Sequence, residues 1–130
     1  MNPFLLTFLY FLAAIAVVIV GLVVFELMTR KYKDWDEMKN GNSAVALSIA
    51  GKIIGTCVII TFSIFHNDTI TETAIWGLYG LGLQLVAYLL FELLTRFSVE
   101  DELKANNTAI GIISFAVSVG LAFVIGASIT

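Results

Sequence analysis

Apolar residues gather in four long runs separated by short polar stretches, over about residues 4–28, 44–65, 74–94 and 109–129. The first carries one acid, Glu26, near its end, and the second is interrupted only by Lys52. Crossing about 30 Å of hydrocarbon takes roughly 20 helical residues, and each run is near or above that length. None has the polar face that an amphipathic helix in water must show. Strands are excluded on physical grounds: a small sheet in lipid would leave its edge groups unpaired, and too few residues remain to close a barrel. The pattern therefore predicts four transmembrane helices.

Composition sharpens this. Apolar residues make up 59% of the chain and charged ones 13%, against roughly 45–50% and about 25% in soluble domains. A core of this size cannot hide the excess. The first run is too long for a signal-peptide core, and "MNPF" before it has no Lys or Arg, so no cleavage is expected. Cys57 has no internal disulfide partner and, inside an apolar run, is expected to be a buried, inert thiol.

The chain also repeats itself. "FELMTR" at residues 25–30 returns as "FELLTR" at 91–96, an offset of 66, and "DEMKNGNSAVA" at 36–46 returns as "DELKANNTAIG" at 101–111, an offset of 65. Each unit reads as helix, charged linker, helix, one over about 4–65 and the other over about 74–129. Two crossings per unit start both copies on the same side, so they are parallel and related by an axis along the membrane normal. The expected fold is an all-α integral membrane protein, one domain over residues 1–130, built as a tandem parallel repeat. Removing the first helix would strip one copy of its partner, a further argument against cleavage.

Orientation follows from the bases. Arg30, Lys31, Lys33 and Lys39 lie between helices one and two, Arg96 and Lys104 between three and four, and the turn "HNDTITET" has none. The bias places both linkers in the cytoplasm and both termini outside.

"GNSAVALSIAGKIIG" at residues 41–55, entered through an acidic linker and echoed by "NNTAIGIISFAVSVG" at 106–120, resembles the small bacterial membrane proteins called domain of unknown function 350, or YjfL-like. The resemblance covers nearly the whole chain. It implies a tandem pair of two-helix units in the inner membrane, no established activity, and an association through gene context with membrane-stress systems. The second copy departs from the first, with Ala116 against Gly51 and Val117 against Lys52.

Several positions carry chemistry. Asn42 and Asn107 precede the second helix of each unit, where an Asn caps free N–H groups. The same helix starts can instead bind anionic headgroups with Arg30, Lys31 and Arg96. Glu26 and Glu92 stand four residues before Arg30 and Arg96, the spacing of interfacial salt bridges. Alternatively, the two carboxylates face the bundle axis and gather a cation or relay a proton. Lys52 lies ten residues beyond Asn42, about 15 Å deep at 1.5 Å per residue. A charge there costs at least about 2.5–3.5 kcal/mol. Candidate compensators are Glu26, Glu92, Gln84, a watery cavity or loss of the proton. Ser48 and Lys52 on one helix lack the oxyanion donors that a nucleophile needs, and His66 has only Asp68 and Glu72 as metal-type neighbours. No cofactor, metal or nucleic-acid partner is expected.

Small residues form stripes. Gly51 and Gly55 on the second helix, Ser114, Ser118, Ala122 and Gly126 on the fourth, and Gly77, Gly80 and Gly82 on the third allow close packing within the bundle or against a second copy. The linkers, residues 31–41 and 97–106, are expected to form short interfacial helices. Asp34 with Glu37 and Ser98 with Asp101 have capping-box spacing, and Trp35, Met38, Val99 and Leu103 offer headgroup contacts. The functional expectation is a non-enzymatic, oligomeric inner-membrane module that organises lipid or recruits a cytoplasmic partner through the linkers, with the membrane-stress role that the resemblance implies. The alternative is a small ion or solute channel or transporter using Lys52, Glu26, Glu92 and Gln84.

Overall fold

The computed structural model describes residues 2–28, 34–95 and 98–129. These form α1 (Pro3–Met28), α2 (Asp34–Lys39), α3 (Ser43–His66), α4 (Ile70–Leu94), α5 (Val99–Lys104) and α6 (Thr108–Ser128), with no strand among the described residues. α1, α3, α4 and α6 are each long and apolar enough to cross a membrane. α4 begins a turn earlier than the apolar run suggests, because the Thr69 hydroxyl accepts the Glu72 N–H and caps it.

α3 sits at the centre, packed on the other three long helices and on both short ones. α1 and α6 stand at opposite corners, each against α3 and α4. The reason lies in the side chains α3 buries, which include Ser48, Gly51, Gly55, Thr56 and Ser63. In lipid, helices associate through packing, and small residues let backbones approach.

The closest approach is between α3 and α6, which run parallel. A Cβ on Gly51 would lie 2.8 Å from Phe115 Cα, and one on Gly111 would lie 2.8 Å from Ala44 Cα. Between them the Ser114 hydroxyl donates to Ser48 Oγ at 3.2 Å. Further along, Gly55 faces Ser118 and Ala122, and Phe62 fills the space beside Gly126. α1 and α4 also run parallel, with Gly21 against Leu81 and Gly77 near Val17. Large apolar side chains such as Phe8, Phe11, Leu78 and Phe123 point outward, the arrangement lipid permits and water would penalise.

Candidate functional site

The deepest charge is fully enclosed. Lys52 is 1% exposed, and its side chain rises from α3 back toward that helix's N-terminus, as helical Cβ geometry directs. Its Nζ lies 5.0 Å from the Phe25 ring centroid and 4.6 Å from that of Tyr88. The two rings meet edge to face at 6.1 Å, one from α1 and one from α4. A desolvated ammonium against an aromatic face gains about 2 kcal/mol. Two faces together thus offset much of the roughly 2.5–3.5 kcal/mol that burying a lysine in the bilayer costs. The rings were not among the compensators that the sequence suggested. The available signal was Tyr88, one helical turn from both Gln84 and Glu92, and Phe25 at the head of the repeated hexapeptide.

Gln84, an expected neighbour of Lys52, bonds with Thr56. The Thr56 hydroxyl lies 3.1 Å from Gln84 Oε1 and 2.8 Å from the Lys52 carbonyl oxygen. Gln84 is 2% exposed, and its Nε2 has no hydrogen-bond partner among the described residues. A Cβ on Gly55 would land on that nitrogen. Gly55 therefore makes room for Gln84 as well as for α6.

The two carboxylates border different grooves. Glu92 Oε1 accepts the Val99 N–H at 3.2 Å, tying the end of α4 to the start of α5. It borders a cleft of about 320 Å³ with Leu27, Met28, Tyr88 and Glu100. Glu26 is half-buried and borders a separate groove of about 300 Å³ with Leu22, Val23 and Trp35. Arg30, Lys31 and Arg96 lie outside the described residues, and so do the expected Glu26–Arg30 and Glu92–Arg96 bridges and any headgroup contacts of these bases. The Asp34 side chain lies outside them too.

The starts of α3 and α6 differ. Asn42 Oδ1 accepts the Val45 N–H at 3.0 Å, and its Nδ2 donates to Leu103 O at 2.8 Å and Lys104 O at 3.1 Å, stitching α3 to α5. Asn106 Oδ1 adds a bond from the Ala44 N–H at 3.0 Å. Asn107 stands at the cap position of α6 but makes no side-chain cap bond. Its Nδ2 donates to Glu102 of α5 at 2.8 Å, a tie that Asn42 also makes to Glu37 of α2.

Two further expectations need correction. Val99 and Leu103 are 0% exposed, packed with Ala44, Val45 and Ile49, so they serve the protein core and not the headgroups. Met38 packs against the same cluster, while Trp35 is 60% exposed. Short linkers leave α5 lying directly across the start of α3, where these side chains are shielded. Cys57 is exposed and not buried, because it lies on the side of α3 away from Gly55 and Thr56. The Ser98 hydroxyl accepts the Asp101 N–H at 3.3 Å, so α5 does carry its cap.

The family described as Domain of Unknown Function (DUF350) matches residues 1–129. The chain is 41% identical over 121 residues to the UPF0719 transmembrane protein YshE of Bacillus subtilis (strain 168), covering 92% of this chain and 90% of that protein. It is 27% identical over 102 residues to the UPF0719 inner membrane protein YjfL of Escherichia coli (strain K12), covering 78% of this chain and 76% of that one. No solved structure matches.

Proposed function

The chain belongs to the DUF350 family, and from that premise we propose that it is a non-enzymatic module of the bacterial inner membrane, which self-associates and uses its two cytoplasmic linkers to organise lipid or recruit a protein partner. One observation carries this reading. Ser48, Lys52, Thr56, Gln84 and Ser114 are almost fully enclosed by the protein, and the cavity beside Gln84 holds about 10 Å³, room for a single water. Lys52 lies between two rings, Thr56 bridges to Gln84, and Ser48 pairs with Ser114. Such a centre suits a packed module better than a conduit.

Self-association is supported by what the bundle leaves unused. Gly51, Gly55, Ser114 and Ala122 are consumed inside the chain, whereas Gly82 on α4 and Gly120 on α6 are exposed with nothing within 4 Å of an added Cβ. The linkers support recruitment: Asp36, Lys39, Asp101 and Lys104 are exposed around the buried anchors Val99 and Leu103.

Reconstitution tests the reading. In liposomes under an imposed potential or pH gradient, the protein should pass no more ion flux than empty vesicles, and in nanodiscs its mass should be a discrete multiple of one chain. Flux above the empty-vesicle level that changes in Lys52→Met and Glu26→Gln would replace this reading with a channel or transporter. A single-chain mass would remove the self-association.

A further inference from the structure

The cavity beside Gln84 lies between α4 and α6, and Phe25, Gln84, Tyr88, Val117 and Ser118 are among its walls. Its volume, about 10 Å³, is close to the roughly 10–15 Å³ that one water molecule needs by the same measure. Size alone does not decide whether such a space is wet. Purely apolar cavities stay dry, and a water needs two or more polar partners.

The hydrogen-bond arithmetic around Gln84 supplies the reason for occupancy. A threonine hydroxyl has one hydrogen. Thr56 Oγ1 lies within bonding distance of two acceptors, the Lys52 carbonyl and Gln84 Oε1, and can donate to only one of them. With Gln84 oriented so, its Nε2 has no protein partner among the described residues. Turning the amide over lets Nε2 donate to Thr56 Oγ1, which then gives its hydrogen to the Lys52 carbonyl. That exchange only moves the deficit, because Oε1 now takes the place that Nε2 had. An amide atom left unpaired in a buried site costs about 1–3 kcal/mol.

We propose that this cavity binds one ordered water, held by the terminal amide of Gln84 and by the Ser118 or Tyr88 hydroxyl on its walls. Water fits where an anion does not. It accepts from Nε2 in one amide orientation and donates to Oε1 in the other, whereas an anion serves only the first. Chloride and larger anions also exceed the space. Through Gln84 and its bond to Thr56 the water links α4 to α3, and through Ser118 it would reach α6 as well, next to the rings that hold Lys52. It gives the bundle a polar tie at mid-depth that direct side-chain contacts do not complete.

The test is magnetisation transfer from water to the Gln84 side-chain NH2 in the ¹⁵N-labelled full chain, in nanodiscs. A cross-peak at Gln84 is expected in the intact protein. In Ala87→Leu, where a larger side chain from the cavity wall takes the space, the cross-peak should vanish while the backbone amide pattern persists. Absence of the cross-peak in the intact protein would overturn the proposal whether or not the variant folds. So would its survival in a folded Ala87→Leu, or an anomalous peak at the site in crystals grown with bromide, which would assign the cavity to an anion.

Discussion

The starts of α3 and α6 are written almost alike and held quite differently. Gly41 and Asn106, 65 positions apart, both adopt positive φ, 86° and 60°. Asn42 N–H bonds the Glu37 carbonyl and Asn107 N–H bonds the Glu102 carbonyl, each at 2.9 Å. Both Asn side chains also donate to the glutamate five residues earlier. Beyond this shared frame the two part company. Asn106 reaches across to cap the α3 start, but Gly41, at the equivalent place, has no side chain to return the favour to α6. A single Gly-for-Asn exchange in a matched backbone thus leaves one helix start locked and the other open.

A second contrast runs along the same helices. Gly51 and Gly55 lie in the α3–α6 contact, while Ala116 and Gly120, their counterparts 65 positions on, are exposed. α6 meets α3 with Gly111, Ser114, Ser118 and Ala122, a differently rotated face. Similar sequences therefore bury different sides, and α3 alone becomes central.

The largest break in this comparison should come from Gly51→Val. Its side chain would strike the Phe115 backbone, which cannot rotate away, and overpacking of this kind costs about 3 kcal/mol or more. Ala116→Leu should stay within about 0.5 kcal/mol of the parent, as exposed substitutions do. Unfolding in mixed micelles followed by circular dichroism checks both, and equal losses would refute the assignment of faces.

Lys52→Ala comes next. It removes a large enclosed side chain and its ring contacts, so a loss of about 2–3 kcal/mol is expected, against about 1 kcal/mol for the half-buried Val117→Ala. The same unfolding assay reads the difference.

Asn42→Ala should lower stability by about 2 kcal/mol, since it removes a cap and frees the bonds to Leu103 and Lys104. Asn107→Ala should cost less than about 1 kcal/mol. Hydrogen exchange at the Val45 N–H should quicken in the first variant, and exchange at Ile110 should change little in the second.

The smallest effect is a gain. Gly41→Asn places a capping amide where φ is positive, a conformation Asn tolerates, with no atom within 4 Å of the new Cβ. It should stabilise the protein by about 0.5–1 kcal/mol by supplying α6 with the cap α3 already has. An unchanged midpoint with unchanged exchange at Ala109 would show that the two linkers do not swap caps reciprocally.

Much of the architecture was legible in the chain. The four spans follow from apolar length against bilayer thickness, a property of local sequence, and their ends fell within about a turn of the expected places. The Ser98 cap was equally local. Val99 and Leu103 were misjudged because an apolar residue near the interface reads the same whether it faces headgroups or a neighbouring helix.

By itself, then, the sequence determined that this is a four-span membrane protein with two alike charged linkers. Tertiary structure decided which rings enclose Lys52, that Asn42 caps its helix while Asn107 does not, and which of two similar helices is central. The physical reason is that lipid accepts apolar side chains as readily as the protein interior does, so the helices carry no polar face to mark inside from outside. Only the fit of small residues against a particular partner backbone selects the buried side.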